Sequence, residues 1–72
     1  MNIKNKIKIT VNGKQMQITP KFSLKSLTNK LKMPINKIAI ELNKKILDKK
    51  KISRIHLQNG DKIEIVHFIG GG

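Results

Sequence analysis

The residues of this chain most suited to chemistry are its last three, Gly70, Gly71 and Gly72. A glycine-only tail leaving a β-strand is thin and offers a C-terminal carboxylate as its reactive group. Glycine has no Cβ, so a narrow channel can close round its backbone in conformations barred to other residues. From Ile69 to Gly72 the extended reach is roughly 13 Å, at about 3.3 Å per residue. That combination suits a chain whose own end enters another enzyme's active site. The competing reading is a frayed terminus without a role. Other acid–base groups are few: His56, His67, Glu41, Asp48, Asp61 and Glu64, with no cysteine. Catalysis by the chain itself is not expected, nor is a disulfide, a thiolate site or a metal centre.

The tail needs a scaffold, and the pattern upstream supplies one. Ile7, Ile9 and Val11 alternate with Lys6, Lys8 and Thr10, the period of a half-buried strand. Asn12-Gly13 signals a two-residue hairpin turn, with Met16 and Ile18 on the returning strand. Ser23 reads as a helix N-cap ahead of Leu24, Leu27 and Leu31, and Pro34 ends that helix near Met33. Lys30 and Lys32 would then sit in its last turn. Ile38, Ile40 and Leu42 predict a third strand, and Asn43-Lys44-Lys45 a turn into a brief Ile46-Leu47 strand. Residues 48–57 read as a lysine-rich loop with at most one helical turn. After the turn at Asn59-Gly60-Asp61, a last strand is expected over 62–69. The order β-β-α-β-β-β predicts an α+β domain over residues 1–69, a mixed four- to five-stranded sheet wrapped on one helix. A flexible tail over 70–72 follows it.

Seventy-two residues allow one domain with a modest core. The N-terminal run alternates Ile with Lys and Asn, so neither a signal peptide nor a membrane span is expected. A net charge of +12 invites a nucleic-acid reading. Against it, the lysines are spread along the chain, Arg54 is the one arginine, and Phe22 and Phe68 are the only aromatic residues. Base readout and stacking platforms are therefore nearly absent. Lys, Ile and Asn make up 35 of the 72 residues, the bias of an AT-rich genome, bacterial or plastid. The run Lys49-Lys50-Lys51 reads as a solvated face, with contact to an acidic partner as the alternative.

Several segments resemble the ThiS family of sulfur carriers, proteins of the ubiquitin-like β-grasp fold. Asn12-Gly13-Lys14 matches the first hairpin turn, and Ser23 to Leu31 the helix. Ile38-Ala39-Ile40-Glu41-Leu42-Asn43 is similar to the family's "vAvelNg". Asn59-Gly60-Asp61-Lys62-Ile63-Glu64-Ile65-Val66 resembles "dGDxIEIV", and residues 66–72 resemble "VxFVGGG". Asn59 stands where the family often has Asp, and Leu47-Asp48-Lys49 replaces its usual Val-Pro-Arg. Neither departure touches the tail.

The resemblance implies a carrier role in thiamine biosynthesis. A C-terminal carboxylate is ionised at neutral pH and is a poor electrophile until its oxygen becomes part of a leaving group. In the family, an E1-like adenylyltransferase uses ATP and Mg²⁺ to make an acyl-adenylate there. Sulfur from a persulfide, supplied by a cysteine desulfurase, then replaces AMP to leave a thiocarboxylate, and a thiazole synthase takes the sulfur. By that likeness Gly72 carries the modification, and Gly70 and Gly71 lead it into partner active sites. The chain would be a cosubstrate that binds no cofactor itself, monomeric when free, in a bacterial cytoplasm or a plastid stroma.

Strand alternation adds a separate expectation. With Ile63 and Ile65 facing the core, Glu64, Val66 and Phe68 face outwards, and Val66 with Phe68 would form an apolar docking patch beside the tail. A bulge or a further packed element would instead bury them. His67 then points inward or to the sheet edge, packed or hydrogen-bonded, and His56 is structural. The alternatives are a molybdopterin-synthase small subunit, a ubiquitin-like modifier and a small basic nucleic-acid-binding domain.

Overall fold

The computed structural model describes residues 6–68. Ile7–Val11 (β1) and Lys14–Ile18 (β2) form an antiparallel hairpin in the register Val11 to Lys14. Asn12 and Gly13 close it with φ of 49° and 84°. Two successive left-handed residues match the twist of the flanking strands, which is why Asn-Gly is favoured here.

The helix α1 spans Leu24–Lys30, and Ser23 Oγ accepts the Ser26 N–H at 3.0 Å as its N-cap. Seven residues form too short a helix to stand alone, so packing must hold it. Leu24 and Leu27 are fully buried against the sheet. The helix stops earlier than Pro34 requires. Lys32 takes φ 56°, its N–H bonds Asn29 O, and the Met33 N–H reaches back to Thr28 O, each at 3.0 Å. This is a Schellman ending, with a lysine in the left-handed position usually given to glycine. Lys32 therefore lies beyond the last helical turn, contrary to the sequence expectation.

A 3-10 turn, Ile35–Lys37, leads into Ile38–Leu42 (β3), which pairs antiparallel with Lys45–Ile46 (β4). Asn43 and Lys44 both have positive φ, making a second turn of the Asn-Gly kind without a glycine. Residues 48–57 are more ordered than their composition suggests. Lys49–Arg54 form a 3-10 helix capped by Asp48, whose carboxylate accepts the Lys50 N–H at 2.9 Å. Its Ile52 is 3% exposed and completes the core.

The last strand, Lys62–His67 (β5), lies in the middle of a five-stranded sheet of order β2-β1-β5-β3-β4. It runs parallel to β1 at Lys62 and Ile63 and antiparallel to β3 from Ile63 to His67. One face of the sheet supplies Ile9, Val11, Ile18, Ile38, Ile40, Ile63 and Ile65 to a core shared with Leu24, Leu27, Ile52 and Leu57. Alternation along each strand explains the selection. Two packed layers with one apolar interior are what the β-β-α-β-β-β order predicts.

Candidate functional site

The surface around the end of β5 is built by three neighbours. On one side β3 pairs with β5 as far as Ile38 to His67, and the Phe68 N–H extends the contact by donating to Lys37 O at 2.9 Å. On the other side β1 turns away after Val11, and Asn12 takes over. Its Oδ1 accepts the Ile65 N–H at 2.7 Å and its Nδ2 donates to Ile65 O at 3.2 Å. The side-chain amide continues the ladder as a peptide would. The third neighbour is the 3-10 helix, whose Lys49 Nζ donates to Ile38 O at 2.8 Å and Ile35 O at 3.1 Å. The same ammonium lies 5.5 Å from the centre of the Phe68 ring, within cation–π range.

The outward face follows the alternation. Val66 is 60% and Phe68 47% exposed, while Ile63 and Ile65 are buried. Ala39 pairs with Val66, so it lies on the same face. Ile46, 77% exposed, pairs with Glu41, which in turn lies opposite Glu64. Val66 and Phe68 place two exposed apolar side chains next to each other near the end of β5. Val66 is thus exposed as the alternation predicts, while Phe68 leaves about half of its surface open, with the Lys49 ammonium over its ring.

Other expectations divide. Gly70, Gly71 and Gly72 lie outside the described residues, as does Ile69. His67 is exposed rather than packed. It stands at the strand end where β1 has already departed, so among the described residues it has a neighbouring strand on one side only. His56 is exposed too, and its backbone bridges to Ser23 in a structural role. The lysine run is not uniformly solvated: Lys50 and Lys51 are exposed, but Lys49 is tied to two carbonyls. Among the described residues no three His, Cys, Asp or Glu gather to hold a metal. No described helix is long and apolar enough to cross a membrane.

Sequence reasoning missed Asn12 and Lys49 as members of this surface. Asn12 reads fully as a turn residue, and its second role depends on a strand 53 positions away. Lys49 is one of three adjacent lysines, and nothing local distinguishes it.

The model of the ThiS family matches residues 9–72, nearly the whole chain. This chain belongs to the ThiS family. That family comprises the small sulfur carriers of thiamine biosynthesis, which are carriers rather than catalysts. The sulfur carrier protein ThiS of Bacillus subtilis is 53% identical over 38 residues, covering 51% of this chain and 58% of that protein. The crystal structure of the thiamine biosynthesis protein ThiS from Geobacter metallireducens superposes with a TM-score of 0.79 at 28% identity, over 92% of this chain and all of that one. The architecture is accordingly the ubiquitin-like β-grasp of ThiS. A thiazole synthase of Paramagnetospirillum magneticum is 33% identical over 66 residues, 92% of this chain. The chain spans only 20% of that protein's length, so a ThiS-like segment forms one part of it.

Proposed function

We propose that this chain carries sulfur as a thiocarboxylate on Gly72 and delivers it for thiazole formation. The observation that carries this reading is the exposed apolar pair Val66 and Phe68 at the end of the central strand, which leads in sequence to Gly70, Gly71 and Gly72. A partner seated on that patch has the tail within roughly 13 Å of its root, the reach of four residues. An E1-like adenylyltransferase with ATP and Mg²⁺ activates the carboxylate. The carboxylate oxygen attacks the α-phosphorus, pyrophosphate leaves, and the acyl-adenylate becomes an electrophile. The terminal sulfur of a desulfurase-derived persulfide then displaces AMP to give an acyl disulfide. A second thiol cleaves its S–S bond to release the thiocarboxylate with a new disulfide, and a thiazole synthase consumes the thiocarboxylate. The occurrence of a ThiS-like segment within a thiazole synthase supports that last partner.

Specific nucleic-acid or membrane partners are not part of this reading. The free carrier is a monomer in a bacterial cytoplasm or a plastid stroma, and its charge reflects AT-rich codon usage. The test is intact mass after incubation with the cognate adenylating enzyme, ATP, Mg²⁺ and a persulfide source. A gain equal to replacing one oxygen by sulfur is expected, and deletion of Gly72 should abolish it while leaving the folded spectrum unchanged. An active deletion would remove the assigned role of Gly72.

A further inference from the structure

We propose that Lys49 is a positioning residue for the tail: its ammonium holds the tail's root, at Phe68, against the start of β3. Its function rests on the sulfur-carrier reading, whereas its geometry stands without it. Three contacts converge on one atom. Lys49 Nζ donates to Ile38 O at 2.8 Å and to Ile35 O at 3.1 Å, and it lies 5.5 Å from the Phe68 ring centre. Between those two carbonyls in sequence sits Lys37, whose own carbonyl accepts the Phe68 N–H at 2.9 Å. One cation thereby joins the 3-10 helix, the 3-10 turn, the first residue of β3 and the last described aromatic ring.

The arrangement answers a problem that the sheet leaves open. Beyond Ile65, β5 has β3 on one side but neither β1 nor the Asn12 amide on the other. The strand end would fray from that side without a further attachment. An ammonium offers three donors with no fixed plane, so it satisfies two carbonyls while still facing an aromatic ring. Lys50 and Lys51 are exposed, so the run contributes one clamp and two solvated charges.

Where the root is fixed at Phe68, four residues of sequence separate it from the Gly72 carboxylate. If Lys49 releases it, His67 and Phe68 join the tether, and the extended reach grows from roughly 13 Å to roughly 20 Å. Effective concentration of a tethered end falls with about the 3/2 power of tether length, a loss of about twofold from length alone. The docked complex still forms, but its carboxylate spends less time in the active site. That lowers kcat for adenylation, and because Phe68 also belongs to the docking patch, KM for the carrier rises with it.

The experiment pairs NMR relaxation with adenylation kinetics on the full chain, comparing wild type, Lys49→Met and Lys49→Arg. The expected result is that the Phe68 amide order parameter falls from about 0.85 to below about 0.6 in Lys49→Met, while Ile40 and Ile65 stay rigid. In the same variant kcat should drop about twofold, accompanied by a rise in KM from the loosened patch, and Lys49→Arg should restore both order parameter and kcat. A rise in KM with kcat unchanged would mean only a smaller folded fraction and would overturn the positioning role. So would a Phe68 amide that stays rigid in Lys49→Met. If Lys49→Met fails to fold, Lys49→Gln removes the charge but retains an amide donor for the same measurements. Failure of the wild type to be adenylated would refute the sulfur-carrier reading instead, with the relaxation data still deciding whether Lys49 holds the root.

Discussion

At the scale of single residues, exposure separates contact from stability. Phe68 is 47% exposed, so Phe68→Ala should cost only about 1 kcal/mol, mainly its cation–π contact. It should nevertheless weaken binding to the adenylating partner, read by titration calorimetry. A loss of about 3–5 kcal/mol, the size seen for buried Phe truncation, would place the ring in the core and discard the patch. Asn12 makes the opposite case, an exposed turn residue with a structural duty. Asn12→Gly keeps positive φ at the turn yet removes both bonds to Ile65. Urea unfolding should show a loss of about 1–3 kcal/mol, since a part-buried N–H and C=O lose their partner together. An unchanged midpoint would mean that water replaces the amide without penalty.

Among elements, local signals were legible where a single residue type decides the outcome. The Asn12-Gly13 turn, the Ser23 cap and the alternation of Ile63 and Ile65 against Val66 and Phe68 each follow from short-range physics. The helix end at Lys30 did not, because the Schellman bonds there form around a lysine instead of the glycine that announces them. Residues 49–54 were opaque for another reason: only Ile52 faces inward, and one apolar residue has no period. Lys49 becomes interpretable only when Ile35, Ile38 and Phe68 are brought beside it by the fold. The left-handed lysines give a prediction at this scale. Lys32→Gly should raise stability by roughly 0.5–1 kcal/mol, because glycine carries no Cβ strain at positive φ. Thermal unfolding checks it, and a lower melting temperature would mean that the flexibility glycine adds to the unfolded chain outweighs the strain relieved.

For the molecule as a whole, charge and topology set the behaviour. A net +12 on 72 residues makes the folded state repel itself, and salt screens that repulsion. Raising salt from about 0.02 to about 0.2 M should therefore increase the melting temperature by about 4–8 °C, equivalent to about 1 kcal/mol. Binding to arbitrary polyanions should weaken steeply over the same range, as counterion release requires. Tight nucleic-acid binding that survived about 0.2 M salt would point to a site beyond net charge. The position of β5 between β1 and β3 has a mechanical consequence as well. A pull on the C-terminal end is directed along a strand flanked by two others, so its hydrogen bonds are loaded side by side in shear. They must break together, whereas an edge strand can be peeled off one bond at a time. The body can thus stay folded under a load applied along β5 from its C-terminal end.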